Sequence, residues 1–186
     1  MSHQLARRWF TVGEYNRMAE TGILSEDDRV ELIEGEIVEM SPIGSRHAAC
    51  VKRLNTFLSR QVGKSFIVSV QDPIVVSDYS EPEPDLAVLR WRDDYYEREL
   101  PQAEDVLLVI EVADTSVEAD RGVKIPLYAR AGIPVSVLVD LPGESVEVYS
   151  GPVGGKYQTA QTLKRGDSFR TDAPPLINLR VDDIIG

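Results

Sequence analysis

Two acids and a lysine of the types that act on phosphodiesters occur in order along the chain: Asp85, Glu111 and Lys124. Asp85 follows Pro84 and opens an apolar run, and Glu111 interrupts the apolar run 106–113. An acid in a segment suited to burial usually has a partner, because an isolated buried charge is costly. Two carboxylates can hold a divalent cation, and an ammonium group beside them can contact the phosphate. The three residues therefore indicate metal-dependent hydrolysis of a phosphodiester.

The predicted ligands are oxygen atoms, which suit a hard cation such as Mg²⁺ or Mn²⁺. Asp85 and Glu111 would each supply a carboxylate oxygen, and Val112 would supply its main-chain carbonyl. The cation would make a water molecule more acidic and offset the charge that builds on the phosphate. Lys124 is expected to orient that water as an ammonium group, because nearby carboxylates raise its pKa and a neutral lysine at pH 7 would need a greatly lowered one.

Four further residues are placed around this trio. Asp120 lies one helical turn before Lys124, where an i,i+4 ion pair would aim the ammonium group, and Tyr128 continues the same face one turn later. His47 falls in the first turn of a predicted helix, where the helix dipole disfavours a charged imidazole. A neutral His47 could handle a proton or hydrogen-bond a phosphate; the alternative is a solvated or capping histidine. Asp140, at the end of a predicted strand, is expected to cap the following turn rather than bind metal.

Hydrophobic periodicity and turn residues predict a mixed α/β fold that carries these side chains. Helices are predicted at residues 11–21, 45–63 and 115–131, and strands at 29–33, 36–40, 66–70, 74–76, 85–89, 106–112, 135–141, 146–149, 157–163 and 176–181. Capping boxes at Thr11 and Thr115 are expected to begin the first and third helices, and Ser45 is the expected N-cap of the second. The strand, helix and strand that include Glu111 and Lys124 predict a right-handed crossover, which brings these two residues close together.

The composition is that of one globular domain. The chain has 186 residues, of which 42% are hydrophobic and 27% charged. We expect residues 1–24 to form an N-terminal helical arm and residues 25–186 to form the core. The single cysteine, Cys50, excludes an internal disulfide and a cysteine zinc cage and fits a reducing compartment. The sequence shows neither a signal peptide nor an apolar run of membrane-spanning length, which predicts a cytoplasmic protein with no membrane partner.

The net charge of −11 argues against a simple nucleic-acid binder, because affinity for phosphates comes largely from lysine and arginine. A metal site is itself acidic, so the charge does not exclude a nuclease. Arg46, Arg53 and Arg60 are spaced by seven residues and lie opposite the apolar side of the second predicted helix. They are candidate contacts to DNA, and the alternative is an ordinary solvated helix face.

At these residues the chain resembles the Uma-type (Uma-two) endonuclease family of the PD-(D/E)xK restriction-endonuclease-like superfamily. The matching motifs, in chain order, are Val30-Glu-Leu-Ile-Glu-Gly-Glu-Ile37, Met40-Ser-Pro, Arg46-His47, Pro84-Asp85-Leu, Val109-Ile-Glu-Val112, Asp120-Arg-Gly-Val-Lys124, Leu127-Tyr-Ala-Arg-Ala-Gly-Ile133 and Leu138-Val-Asp140. The resemblance implies a restriction-endonuclease-like core, with a mixed central sheet flanked by helices. It also implies that Asp85 and Glu111 are metal ligands.

The same resemblance assigns roles to two other positions and shows one departure. Glu31 is similar to the family's N-terminal acid, which approaches the metal or its waters; the alternative is an exposed strand glutamate paired across the hairpin. The usual lysine of the superfamily would fall at Ala113, and in this family Lys124 on the next helix looks like its replacement. The segment Val135-Ser-Val137 departs from the more polar, aromatic sequence expected there, which affects surface contacts more than catalysis.

Each of the three central residues has an ordinary structural alternative. Asp85 could cap a turn after proline, Glu111 could form a buried ion pair with Lys124 or an arginine, and Lys124 could lie on a helix surface. The sequence favours a Mg²⁺- or Mn²⁺-dependent DNA endonuclease, and a homodimer would suit the cutting of two strands. Two other functions stay open: a nuclease-fold module that binds or regulates without catalysis, and a hydrolase of a small phosphoester.

Overall fold

The protein's structure is a computed structural model that describes residues 7–25 and 27–186. Residues 1–6 of the predicted N-terminal arm lie outside these ranges. The strands are β1 (Val30–Ile33), β2 (Glu36–Glu39), β3 (Phe66–Val70), β4 (Leu86–Arg90), β5 (Val106–Ala113), β6 (Val135–Asp140), β7 (Ser145–Val153), β8 (Lys156–Leu163), β9 (Ser168–Arg170) and β10 (Asn178–Arg180). The α-helices are α1 (Val12–Glu20), α2 (Ser45–Val62), α3 (Val117–Ala119), α4 (Ile125–Arg130) and α5 (Val181–Ile185). None of the helices in the described ranges is both long enough and apolar enough to cross a bilayer.

A six-stranded mixed sheet forms the centre of the fold, with the strand order β3-β4-β5-β6-β7-β8. β5 and β6 run parallel, and the other neighbouring strands run antiparallel. The helical segment 117–130 connects β5 to β6, as a connection between parallel strands requires. The predicted mixed α/β fold with flanking helices is therefore confirmed.

β5 is buried along its whole length, and its side chains alternate between the two faces of the sheet. Leu108 and Ile110 belong to the apolar cluster that includes the side chains of α2. Val109 instead packs in the cluster that contains Tyr128 of α4. Glu111, two residues after Val109, consequently points to the α4 face of the sheet.

The α2 helix covers the other face because its apolar residues recur at helical spacing. Its buried residues are Cys50, Val51, Leu54, Leu58 and Val62. The helix ends at Val62, and its C-cap is Gly63, where φ is 61°, a positive value that glycine adopts at little cost. Its N-cap is Gly44, so the predicted cap at Ser45 is wrong by one residue, and Ser45 is the first residue inside the helix.

The helical segment after β5 begins one residue later than predicted. Ser116 is its N-cap and makes no capping hydrogen bond through its side chain, so the predicted capping box at Thr115 is wrong. The hydroxyl of Ser116 instead donates to the Asp120 carboxylate at 2.6 Å. This bond fixes the first turn of the segment without closing a capping box.

A π-helical turn at Asp120–Lys124 interrupts the same segment. The N–H of Ile125 donates to the carbonyl of Asp120, five residues earlier instead of four. Pro126 follows and has no N–H to donate, which favours a local change in the hydrogen-bond pattern. The wider turn rotates the side chains after it relative to those before it.

Three of the predicted strands differ clearly from the structure, and one of them, predicted at 146–149, is lengthened to β7. Residues 74–76 form an isolated bridge from Val75 to Gln102 instead of a strand, because their N–H groups donate to carbonyls of neighbouring loops. The predicted strand 176–181 is shortened to β10, and Val181, the last residue of the predicted strand, is instead the first residue of α5. The structure adds β9, which pairs with β10 and was not predicted.

The predicted hairpin of β1 and β2 is confirmed, and Gly35 at its tip joins it to the N-terminal segment. The N–H of Phe10 donates to the carbonyl of Gly35 at 2.9 Å. At Gly35 φ is 82°, and an added Cβ would lie 2.7 Å from the Cβ of Trp9. Both the backbone conformation and the close approach therefore require glycine. The capping box at Thr11, which begins α1 two residues after Trp9, is also confirmed.

We predict that Gly35→Ala destabilises the fold more than Gly22→Ala. Gly22 also has a positive φ, 74°, but no atom lies within 4 Å of its added Cβ. The Gly22 variant should lose about 1 kcal/mol from backbone strain. The Gly35 variant should lose about 1–3 kcal/mol more, because the new methyl group overlaps Trp9. Urea unfolding of the three proteins measures the difference, and equal losses in the two variants would contradict the close packing at Gly35.

Candidate active site

A pocket of about 440 Å³ opens between the β1–β2 hairpin and the helical segment after β5. Its lining is mainly acidic among the ionisable groups. The carboxylates are Glu31, Glu34, Glu36, Glu39, Glu83, Asp85, Asp114 and Asp120, and the basic groups are Arg29, His47 and Lys124. Six of the predicted site residues therefore line the pocket: Glu31, His47, Asp85, Val112, Asp120 and Lys124.

Asp85 lies just before β4, where its carboxylate bonds to three other segments. Its Oδ2 accepts from the N–H of Val112 at 2.8 Å, beyond the last paired residues of β4 and β5. The same carboxylate lies 3.0 Å from Nε2 of His47 on α2. Its Oδ1 accepts from the side-chain amide of Gln71 at 3.1 Å. Asp85 is therefore held in one orientation by groups from β5, α2 and the end of β3.

Glu111 is almost completely buried, with 3% of its surface exposed. Burial raises its pKa to about 8, although the positive charge of Lys124 opposes the rise. Its Oε1 accepts from the hydroxyl of Tyr128 at 2.5 Å and lies 3.4 Å from Nζ of Lys124. Burial and the Glu111 charge also raise the pKa of Tyr128 well above its ordinary value, so Tyr128 acts as a donor.

Lys124 joins Glu111 to Glu31. Its Nζ lies 3.0 Å from Oε2 of Glu31, and this oxygen also accepts from the N–H of Glu83 at 3.2 Å. Burial would lower the pKa of Lys124, but the charges of Glu111 and Glu31 outweigh burial and raise it above its usual value. Lys124 is therefore an ammonium group. Glu31 is 5% exposed, so the alternative of an exposed strand glutamate is wrong.

The structure does not form the predicted ion pair between Asp120 and Lys124. Asp120 is buried and accepts from Ser116, while Lys124 points to Glu31 and Glu111. The π-helical turn is the physical reason, because it removes the regular i,i+4 alignment of the two side chains. Asp120 still contributes its charge to the cluster and, after Glu111 and Glu31, raises the pKa of Lys124.

Two further segments fix the position of this turn. Arg121, inside the π-helical turn, donates to the Glu147 carboxylate on β7 through Nη2 at 2.7 Å. Asp140 accepts from the N–H of Gly143 at 2.7 Å, which confirms its predicted role as a turn cap. Arg121 also lies 3.6 Å from Asp140. The residues before Lys124 are thus anchored to the sheet while Lys124 points into the site.

His47 is neither solvated nor a helix cap, because its side chain is 13% exposed and bonded to Asp85. That hydrogen bond raises the pKa of His47 despite the opposing effect of burial. The neutral imidazole expected from the helix dipole is therefore disfavoured. The Nδ1 atom of His47 is buried and has no hydrogen-bond partner among the described residues.

The three arginines of the predicted basic stripe have different surroundings. Arg53 donates to the carbonyls of Ile184 and Ile185 at 3.2 and 3.1 Å, so its guanidinium ties α2 to α5. Arg46 lies 3.8 Å from Glu144 and remains exposed. Arg60 is exposed as well. All three arginines are exposed, but the guanidinium of Arg53 is already engaged in hydrogen bonds within the protein.

Sequence reasoning did not identify Gln71 and Glu83 as parts of the site. Glu83 stands two residues before Asp85 in Glu-Pro-Glu-Pro-Asp, a proximity that could have indicated it. Gln71 follows β3 and has a φ of 56°, which no sequence signal indicates for a glutamine. Gln71 meets Asp85 because β3 ends beside the start of β4, and Glu83 meets Glu31 because the segment before β4 runs beside β1.

The carboxylate oxygens of the site are the type of ligand that a hard cation prefers, although in the present arrangement they do not form a complete metal site. Within residues 7–25 and 27–186, no three His, Cys, Asp or Glu side chains are arranged so that they could hold an ion. Asp85 and Glu111 nevertheless supply the oxygen ligands that Mg²⁺ and Mn²⁺ prefer. After burial and the charge of Lys124, the next largest effects on the pKa of Glu111 come from the charges of Asp120, Asp85 and Glu31, which all raise it. Such an excess of negative charge is the setting in which a cation is stabilised.

Comparisons with known proteins bear on the whole chain. The model of one protein family, Uma2, described as "Putative restriction endonuclease", matches residues 12–182. Among solved structures, the fold is similar to a crystal structure from Anabaena variabilis described as a putative nuclease belonging to DUF820. The two chains are 18% identical, with 95% of this chain and 97% of that chain covered and a TM-score of 0.71. At this identity the likeness shows a shared fold. No curated protein matches the sequence.

We predict that the stability of Glu111→Gln relative to wild type, in the absence of metal, increases as the pH rises. The folded-state pKa of Glu111, about 8, lies above its ordinary value of 4.5, so folding favours the protonated carboxyl. The stability that this group contributes is complete below pH 4.5 and is lost as the pH rises through about 8. Glutamine cannot ionise and avoids that loss.

Urea unfolding in EDTA between pH 5.5 and 8.5 measures the effect. The difference in unfolding free energy between Glu111→Gln and wild type should grow with pH. The exposed residue Glu97 provides the matched control, since Glu97→Gln should give no such trend. A pH-independent difference for Glu111→Gln would contradict the raised pKa of Glu111.

Proposed function

Because the chain belongs to the Uma2 family over residues 12–182, we propose that it is a Mg²⁺- or Mn²⁺-dependent nuclease that hydrolyses phosphodiester bonds in DNA. One observation carries the proposal. Lys124 is buried between the carboxylates of Glu111 and Glu31, at the side of a pocket whose lining also includes Asp85. Buried charges are costly to a fold, and a cluster of them beside a pocket is typical of a site that performs chemistry.

The proposed ligands are the carboxylates of Asp85 and Glu111 and the main-chain carbonyl of Val112. A bound cation would supply a more acidic water and would offset the charge on the phosphate. Glu111 does not line the pocket, whereas Lys124, its ion-pair partner, does. The side chains of Glu111 and Lys124 must therefore move apart before both carboxylates can bind one ion.

The other residues of the site hold the ligands or stabilise charge. Lys124 is an ammonium group and cannot accept a proton, so its proposed role is to orient water and stabilise the negative phosphate. Glu31 positions Lys124, and Tyr128 positions Glu111, through the contacts described above. His47 holds Asp85, and its raised pKa favours a positive charge that would attract a phosphate.

DNA is the proposed substrate, and Arg46 and Arg60 are its proposed contacts on α2. Both are exposed and basic, as phosphate binding requires. A homodimer belongs to the same proposal, since two sites would cut the two strands of a duplex. The acidic lining of the pocket favours a second candidate substrate, a small phosphodiester, because such a molecule brings fewer negative charges to the site.

We predict that the protein cleaves a phosphodiester in Mn²⁺ and that Asp85→Asn abolishes cleavage. Asparagine keeps the shape of Asp85 but lacks the negative charge that a cation needs. Purified protein should be incubated with plasmid, single-stranded DNA, RNA and bis-p-nitrophenyl phosphate, with Mn²⁺ or EDTA. Cleavage in Mn²⁺ alone is the expected result.

The control for this experiment is Asp172→Asn, since Asp172 is exposed and does not line the pocket. It should cleave like wild type. Equal cleavage by wild type and Asp85→Asn would mean that the activity comes from a contaminant or another site. Hydrolysis of the small phosphodiester without cleavage of nucleic acid would favour the second candidate substrate. Mn²⁺ binding without hydrolysis of any substrate would favour a binding module.

We also predict that the affinity for Mn²⁺ rises with pH between 5.5 and 7.5. Binding must displace the proton that burial stabilises on Glu111, whose pKa is raised to about 8. Calorimetry in two buffers with different ionisation enthalpies should detect proton release. Glu111→Gln should bind Mn²⁺ more weakly and release fewer protons. A constant affinity with no proton release would contradict Glu111 as a ligand.

A further inference from the structure

We propose that Gln71 is a positioning residue that holds the Asp85 carboxylate in the orientation needed to bind a cation. This inference rests on the proposed function, because it concerns a ligand of the proposed metal site. Gln71 lies between β3 and Pro73, outside the motifs that identify the site in the sequence.

Gln71 is bonded to Asp85 at two points. Its side-chain amide donates from Nε2 to Oδ1 of Asp85 at 3.1 Å, and its main-chain N–H donates to the Asp85 carbonyl at 3.1 Å. The main-chain bond places the two residues side by side at the end of the β3–β4 pair, whose last paired residues are Val70 and Leu86. The side-chain bond then acts on the carboxylate alone.

The bond from Gln71 to Oδ1 adds to two other contacts of the Asp85 carboxylate. Val112 donates its N–H to Oδ2, and Nε2 of His47 on α2 lies 3.0 Å from both Oδ1 and Oδ2. Without Gln71, the carboxylate would still contact Val112 and His47, but rotation about its last bond would be less restricted. The side-chain amide that donates to Oδ1 restricts the plane of the carboxylate, and a carboxylate with about four lone-pair sites still has one free for a cation.

The backbone of Gln71 is strained, which a turn alone does not explain. Its φ is 56°, in the left-handed region that glycine and asparagine adopt more readily than glutamine. The turn is held independently by the bond from the Ser69 hydroxyl to Asp72, at 2.6 Å, and by Pro73. Glycine or asparagine would suit the backbone better, but neither has a side chain long enough to repeat the contact of Gln71 with Oδ1.

Gln71→Asn and Gln71→Gly separate the positioning role from a purely structural one. Both variants relieve the backbone strain, so their melting temperatures in EDTA should equal or exceed that of wild type. Both lose the contact with Oδ1, so their affinity for Mn²⁺, measured by calorimetry, should fall about 10-fold. A merely structural residue would not give higher stability together with weaker metal binding.

Tyr95→Asn is the matched control. Tyr95 is exposed, has a φ of 51° and does not line the pocket. This variant should bind Mn²⁺ like wild type. If the defect of the Gln71 variants is in metal binding alone, their activity should recover at saturating Mn²⁺. If the activity stays low, the orientation of Asp85 also matters after the ion has bound. Either result supports positioning.

Two outcomes overturn the inference. If wild type binds Mn²⁺ and the Gln71 variants bind it equally well, Gln71 does not position Asp85, while the proposed function stands. If wild type does not bind Mn²⁺ or Mg²⁺ at all, the proposed function fails and the role of Gln71 fails with it.

Discussion

The buried ammonium group of Lys124 is the interaction on which the site depends. It lies within 3.4 Å of carboxylates from two distant parts of the chain, Glu31 on β1 and Glu111 on β5. Removing the ammonium would leave these acids without their nearest positive partner in a region where water cannot screen them. The charge pair therefore connects the hairpin, the central sheet and the helical segment after β5 in one cluster.

Two local departures from regular structure position the charged groups of the site. A π-helical turn directs Lys124 away from Asp120, and Arg121 within the turn is fixed to β7 by Glu147. At the end of β5, the N–H of Val112 donates to the side-chain carboxylate of Asp85 instead of to a main-chain carbonyl of a neighbouring strand. Such features reduce regular hydrogen bonding in order to direct side chains, and proteins commonly retain them where function requires it.

The sequence allowed Asp85, Glu111 and Lys124 to be proposed as site residues, because Asp85 and Glu111 open or interrupt apolar runs and Lys124 lies on the helical segment after β5. The parallel β5–β6 pair was also predictable, since strand, helix and strand follow one another closely. The π-helical turn was not, because a single turn of five residues is too short to leave a periodicity of its own in the sequence. The contact of Gln71 with Asp85 depends on a positive φ, and the raised pKa of His47 depends on a tertiary hydrogen bond. Neither property has a local sequence signal.

The contribution of the β1–β2 hairpin has a consequence for folding. Glu111 and Lys124 are joined by a single strand-to-helix connection and can meet early, whereas Glu31 and Lys124 are separated by half the length of the chain. Contacts between residues far apart in sequence carry the largest loop-closure entropy and tend to form late. A partly folded molecule would thus contain the contact between Glu111 and Lys124 but not the contact between Lys124 and Glu31. The charge cluster is completed with the last long-range contacts, so its formation would report the arrival of the N-terminal hairpin.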